Sequence, residues 1–144
     1  MSRLILIGTD GSEGARRALD FAQAMAVAGS DRLLIAHVIE WSPYSFLTPQ
    51  EIAERHQRRQ EELTRAEAAL TKPLVEALTQ AGFQASSEIR YGNISKSLCK
   101  LAKESGATQL IIGRDGENSL TDRLFGTVAS TLVQTSPVPV TVVP

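Results

Sequence analysis

The chain has 144 residues, 42% of them hydrophobic and 22% charged, with a formal net charge of -1. That length suits one domain with a real core, and the near-neutral balance gives no global attraction to nucleic acid or to an anionic membrane. No apolar stretch approaches the roughly 20 residues a membrane helix needs. The single cysteine, Cys99, excludes an internal disulfide framework and any cysteine-cluster metal site. A cytoplasmic protein of one domain over residues 1–144 is the expectation.

Strand and helix patterns alternate along the chain. Leu4-Ile5-Leu6-Ile7 is a continuous apolar run, as expected for a parallel strand covered on both faces. Ser12 can cap a helix whose apolar face is Ala15, Ala18, Leu19, Ala22 and Met25, with Gly29 as its left-handed stop. Leu33 to Val38 is a second buried strand, and Ile39 to Leu47, with Trp41, Pro43, Tyr44 and Phe46, reads as irregular. Thr48 and Glu51 have capping-box spacing, and Pro49 stands at the first position of a long charged helix. This helix can run to Ala81, with a kink or break at Pro73 and a stop at Gly82.

Ala85 to Tyr91 has the weak alternation of a partly exposed strand. Gly92-Asn93 then turns into a helix that faces inward through Ile94, Leu98, Leu101 and Ala102. Leu110 to Ile112 is a fourth strand, ending at Gly113. A glycine-containing loop leads to a helix over Thr127 to Thr135, and Val138 to Val143 is a fifth strand. Five strands with helical connections build an α/β fold, a parallel sheet with helices on both faces.

Ligands of such sheets bind beyond the carboxyl ends of the strands. Two loops lie there, Gly8-Thr9-Asp10-Gly11-Ser12 and Gly113-Arg114-Asp115-Gly116, the second followed by Gly126-Thr127 at a helix start. Gly113 and Gly116 let a polyphosphate approach backbone N–H groups closely. Gly126 and Thr127 open a helix whose unpaired amides and dipole favour an anion, and Arg114 and Arg123 supply positive charge. The bland alternative is a plain turn with Thr127 as an ordinary N-cap.

The spacing Gly113-x-x-Gly116-(nine residues)-Gly126-Thr127, with Asp10-Gly11-Ser12 after the first strand, resembles the nucleotide-binding type of universal stress protein. The closing Pro137-Val138-Pro139-Val140-Thr141-Val142-Val143 is similar to that family's last strand, and the resemblance spans essentially the whole chain. It implies a five-stranded Rossmann-like sheet of adenine nucleotide α-hydrolase type, in the order 3-2-1-4-5. It also implies an ATP site. Thr9, Asp10 and the backbone of Val38 would hold adenine and ribose, with Gly11 in the same loop. Gly113, Arg114 and Gly116 would wrap ribose and phosphates, and Gly126, Thr127 and Val128 would take the phosphates. Asp10 would face a magnesium or manganese ion. Asp115 departs from the family pattern, and a carboxylate there needs a metal or an arginine beside it.

The usual catalytic sets are missing: no G-x-x-x-x-G-K-[ST], no G-x-S-x-G and no H-E-x-x-H. His37, in the apolar second strand, reads as a hydrogen-bonded structural residue. His56 reads as solvated, and Cys99 as a core or boundary thiol. The sequence thus points to an ATP-binding regulatory protein, at most a weak ATPase. A nucleotide-free module that docks other proteins is the alternative. The last strand, apolar on both faces, is expected to pair with a second copy through Val138 to Val143.

Overall fold

A computed structural model describes residues 2–40, 48–114 and 122–144, with the backbone alone at 122–126. Five strands alternate with helices: β1 (Leu4–Gly8), α1 (Glu13–Met25), β2 (Arg32–Glu40), α2 (Pro49–Ala66), a π-helical segment (Glu67–Thr71) and α3 (Lys72–Gln80). β3 (Gln84–Gly92), α4 (Ile94–Ser105), β4 (Gln109–Gly113), α5 (Asp122–Thr135) and β5 (Val140–Val143) follow. The strands form one parallel sheet in the order β3-β2-β1-β4-β5, as the resemblance implied. The irregular reading of Ile39 to Leu47 is corrected at its start, since β2 carries on to Glu40 in register with Gly92; residues 41–47 lie outside the described residues.

Alternation along the strands divides the core in two. Leu6, Leu34, Leu110 and Ile112 point toward α4 and α5, where Leu98, Leu101 and Leu132 meet them. Ile5, Ile7, Leu33, Ile35 and Ile111 point the other way, toward Ala18, Leu19 and Ala22 of α1 and Leu78 of α3. Full burial of such side chains is worth about 1.5–3 kcal/mol each, which makes the register of the central strands costly to slip.

The starts of α1 and α2 follow the capping chemistry read from the sequence, and α4 has a cap of the same kind. Ser12 Oγ accepts from the Ala15 N–H at 3.1 Å, and Thr48 and Glu51 form the reciprocal capping box. Asn93 Oδ1 accepts from the Lys96 N–H at 3.0 Å, and Gly106 closes α4 in the left-handed conformation with φ 74°.

One expectation is corrected here and one is met. α1 ends at Met25 with an extended cap at Ala26, so Gly29 (φ 81°) serves the turn into β2 and not the helix stop. The disturbance expected at Pro73 is present as an interruption of the α-helical course. The chain widens into the π segment immediately before it and resumes as α3 with Pro73 in the first turn. A widened turn gives room to the proline ring and to a backbone that has lost one donor.

α2 buries no residue. It is tied down where Tyr91 of β3 donates its hydroxyl to the Arg59 carbonyl at 2.6 Å, with the Arg59 guanidinium 5.3 Å from the centre of the tyrosine ring. Among the described residues no helix is long and apolar enough to cross a membrane.

Candidate functional site

The loop after β1 is fixed by its own backbone. The Thr9 N–H donates to the Ala36 carbonyl at 2.8 Å, the last hydrogen bond of the β1–β2 ladder, and the Thr9 carbonyl accepts from His37 Nδ1 at 2.8 Å. Thr9 Oγ1 then accepts from the Gly11 N–H at 3.2 Å, and Asp10 Oδ1 from the Ser12 N–H at 3.0 Å, an Asx turn that delivers the chain to the α1 cap. Gly11 has φ 81°, a left-handed conformation that glycine adopts without strain. Behind it lies Leu70 of the π segment, 3.6 Å from where a Gly11 Cβ would stand.

In front of the loop opens a crevice of about 430 Å³, counting its mouth, lined by Gly8, Thr9, Asp10, Ala36, Val38, Ile94, Leu98, Ile112 and Val128. It lies beyond the end of β1, between the sheet and the helices α4 and α5. Gly8 makes the space: a Cβ there would stand 3.3 Å from both Leu98 Cδ1 and Ile112 Cγ2. The walls are aliphatic, and the side-chain polar groups are those of Thr9 and Asp10 at the rim. An aliphatic slot of this kind accepts a flat apolar ring.

The edge of the slot carries a donor and an acceptor. Ala36 turns its carbonyl toward Thr9, so the two-residue period of β2 turns the N–H and C=O of Val38 toward the same side, past the end of β1. Such a pair complements an aromatic amine beside a ring nitrogen.

Beyond Ile94 and Val128 the crevice continues into a groove between α4 and α5, of about 1050 Å³ with its open side, bordered by Glu40, Asn93, Lys96, Cys99, Thr127 and Thr131. The Cys99 thiol lies 3.6 Å from Thr135 Oγ1, a boundary position as its sequence context suggested. Among the described residues no three His, Cys, Asp or Glu side chains cluster as metal ligands.

The structure therefore brings together Thr9, Asp10, Val38 and Val128, with Thr127 in the adjoining groove. Gly11 stands behind the loop and lines neither space. Gly113 belongs to the other face of the sheet, where its Cβ would fall on the Gly14 carbonyl group and 3.1 Å from the Ala15 nitrogen. Its lack of a side chain is demanded by the close approach of α1. Arg114 is exposed, and its N–H donates to the Val143 carbonyl at 2.8 Å.

The expected helix start at Gly126-Thr127 is corrected. α5 begins at Asp122, so Arg123 and Gly126 lie within it and Thr127 falls in its second turn. One glycine costs a helix about 1 kcal/mol, too little to stop it when the residues on both sides tolerate helix. Asp115 and Gly116 lie outside the described residues, as do Trp41, Tyr44 and Phe46.

Sequence reasoning did not assign the crevice-lining roles of Gly8, Ala36, Ile94, Leu98 and Ile112. Their only signal is an alternation shared with core residues.

Comparison with known proteins agrees with this fold. The family model described as the universal stress protein family matches residues 1–144. The chain belongs to the universal stress protein family. This universal stress protein is 25% identical to the universal stress protein MJ0577 of Methanocaldococcus jannaschii over 154 residues, covering 99% of this chain and 95% of that protein. The solved structure of MJ0577 superposes with a TM-score of 0.79, covering 98% of this chain and 94% of that one. UspA of Lactobacillus plantarum, 23% identical, shares the fold with a TM-score of 0.78, over 99% and 97% of the two chains. A universal stress protein solved in complex with cAMP is 26% identical, with a TM-score of 0.59 over 99% and 96%.

Proposed function

We propose that this universal stress protein binds ATP and works as a nucleotide-dependent dimeric regulatory switch. The observation that carries this reading is the aliphatic crevice with the Val38 backbone pair on one edge and Asp10 at its mouth. Adenine fits both features, since its amine would donate to the Val38 carbonyl and its ring nitrogen N1 would accept from the Val38 N–H. The cAMP complex of a relative supports an adenine compound as the ligand class.

In this proposal Thr9 and Asp10 hold the ribose side. Thr127 and Val128, beside the groove, meet the phosphates together with Gly113, Arg114, Gly116 and Gly126. Magnesium or manganese requires little from the protein here, because one carboxylate suffices when phosphates and water supply the remaining ligands. Asp10 is that carboxylate, and the ion would neutralise phosphate charge. Nothing in the described residues activates a water for attack, so at most slow hydrolysis is expected. Dimerisation through β5, location in the cytoplasm and an unidentified protein partner complete the proposal.

The second reading, a nucleotide-free docking module, is favoured by one observation. With α5 starting at Asp122, the amides of Gly126 and Thr127 are not among the free ones of the first turn. Mass spectrometry of denatured protein purified from cells decides between the two. Bound adenine nucleotide, together with a rise in Tm on adding ATP and magnesium, is expected. Empty protein with an unmoved Tm would overturn the ATP reading and leave the docking module. Gly116→Val and Gly126→Val are expected to lose the nucleotide and remain folded.

A further inference from the structure

Resting on the adenine reading above, the structure assigns His37 as a positioning residue: from the back of the sheet it holds the loop that presents Asp10 to the nucleotide. His37 follows Ala36 and precedes Val38, both of which line the crevice, so strand alternation turns its imidazole to the opposite face. It therefore touches no ligand in the crevice. What it touches is the carbonyl of Thr9, 2.8 Å from Nδ1.

A carbonyl can only accept, so Nδ1 carries the proton, and the contact selects one tautomer of the neutral ring. Thr9 is the last residue that β1 ties to β2. Its N–H is taken by Ala36 and its hydroxyl by the Gly11 N–H, and its carbonyl is taken by His37 in place of a further bond of the β1–β2 ladder. With that carbonyl fixed, the peptide plane joining Thr9 to Asp10 is fixed as well. The Asx turn from Asp10 to Ser12 then sets the carboxylate at the mouth of the crevice. Without the imidazole the plane can rotate. The loop then has to be ordered at the moment the ligand binds, which lowers affinity without removing a ligand contact.

His37→Asn and His37→Leu separate this role from a contribution to the fold alone. Asparagine places an N–H close to where Nδ1 stands, whereas leucine has a comparable apolar body and no donor. Adenosine is titrated into the full-length wild type and both variants by calorimetry, and the Tm of each is recorded. His37→Leu is expected to bind adenosine about five- to tenfold more weakly, the scale of one hydrogen bond, while His37→Asn stays within about twofold of wild type. In 15N-labelled wild type the His37 ring is expected as the Nδ1–H tautomer. Leucine binding as wild type does, asparagine as weak as leucine, or an Nε2–H tautomer would each overturn the assignment. Failure of the wild type itself to bind adenosine is a different pattern, and it overturns the adenine reading and this proposal together.

Discussion

The two faces of the sheet, at the same carboxyl end, have opposite construction. Toward α1 the residues are packed to contact: Gly113 against the Gly14 carbonyl group, His37 on Thr9, and Leu70 beside Gly11. Toward α4 and α5, one residue along each strand, Gly8, Ala36, Val38 and Ile112 border open space. The period of two in a strand lets neighbouring residues serve different purposes, one clamping the loop and the next lining the slot. A glycine after a strand therefore has two physical meanings. Gly113 is small so that a helix can approach, and Gly8 is small so that space remains.

Substitution of these two glycines tests that contrast most severely. In Gly113→Ala the new methyl meets backbone, which cannot turn aside. A loss of about 3 kcal/mol or more is expected, a fall in Tm of roughly 10 °C, whether or not nucleotide is present. In Gly8→Ala the methyl meets the ends of Leu98 and Ile112, which can shift by a few tenths of an ångström, so a loss of about 1 kcal/mol is expected. Val38→Phe goes further on the open face, placing a ring in the slot. Adenosine binding is expected to weaken at least about tenfold while Tm moves by less than about 3 °C. Equal melting losses for Gly113→Ala and Gly8→Ala in scanning calorimetry would dissolve the distinction.

The amino end of the same sheet is a control, because it stabilises the fold without a site. Asp31, 2% exposed, accepts from Arg3 Nη2 at 2.6 Å and from the Val27 N–H at 2.8 Å. The Arg3 guanidinium first, and the Val27 amide next, hold its carboxyl well below the usual carboxylate range. A carboxyl depressed in the folded state stabilises fully above its ordinary pKa near 4, and that contribution is lost as pH falls below it. Thermal melts from pH 7 to pH 2 should show a decline below about pH 4 that Asp31→Asn reduces. Adenosine affinity at pH 7 should not respond to that substitution.

Element order and most helix starts were legible in the sequence, because caps and apolar periods act locally. Ser12, Thr48 with Glu51, and Asn93 each cap a helix within a few residues of themselves. The ends that depend on distant neighbours were harder to read. Pro73 correctly marks a disturbance, but whether the helix breaks or widens depends on how α3 packs beneath the sheet. Gly113 belonged to a spacing that resembles a family's ligand motif, and the carbonyl of Gly14, far away in sequence, was invisible. The crevice shares that difficulty: Ile94 and Leu98 have the periodicity of core residues, and only the folded arrangement of β1, β2 and α4 distinguishes a wall from a filling.

The edge of the sheet extends the comparison outward and asks for the smallest change to the single chain. β5 gives its inner edge to β4: the Leu110 N–H donates to the Pro139 carbonyl and the Arg114 N–H to that of Val143. The period of two therefore turns the backbone of 139, 141 and 143 inward and that of Val140 and Val142 outward. Val142→Pro removes an outward N–H and leaves the β4 ladder its donors, which is where a strand tolerates proline. If two copies pair through this edge as proposed, sedimentation should show the wild type as a dimer and Val142→Pro as a monomer. The melting temperature extrapolated to low concentration should be nearly the same for both. A dimer that survives the proline would place the contact elsewhere. In that case the apolar side chains of β5 serve only the core beneath them, where Val138, Val140 and Val142 already pack against the α4 and α5 side.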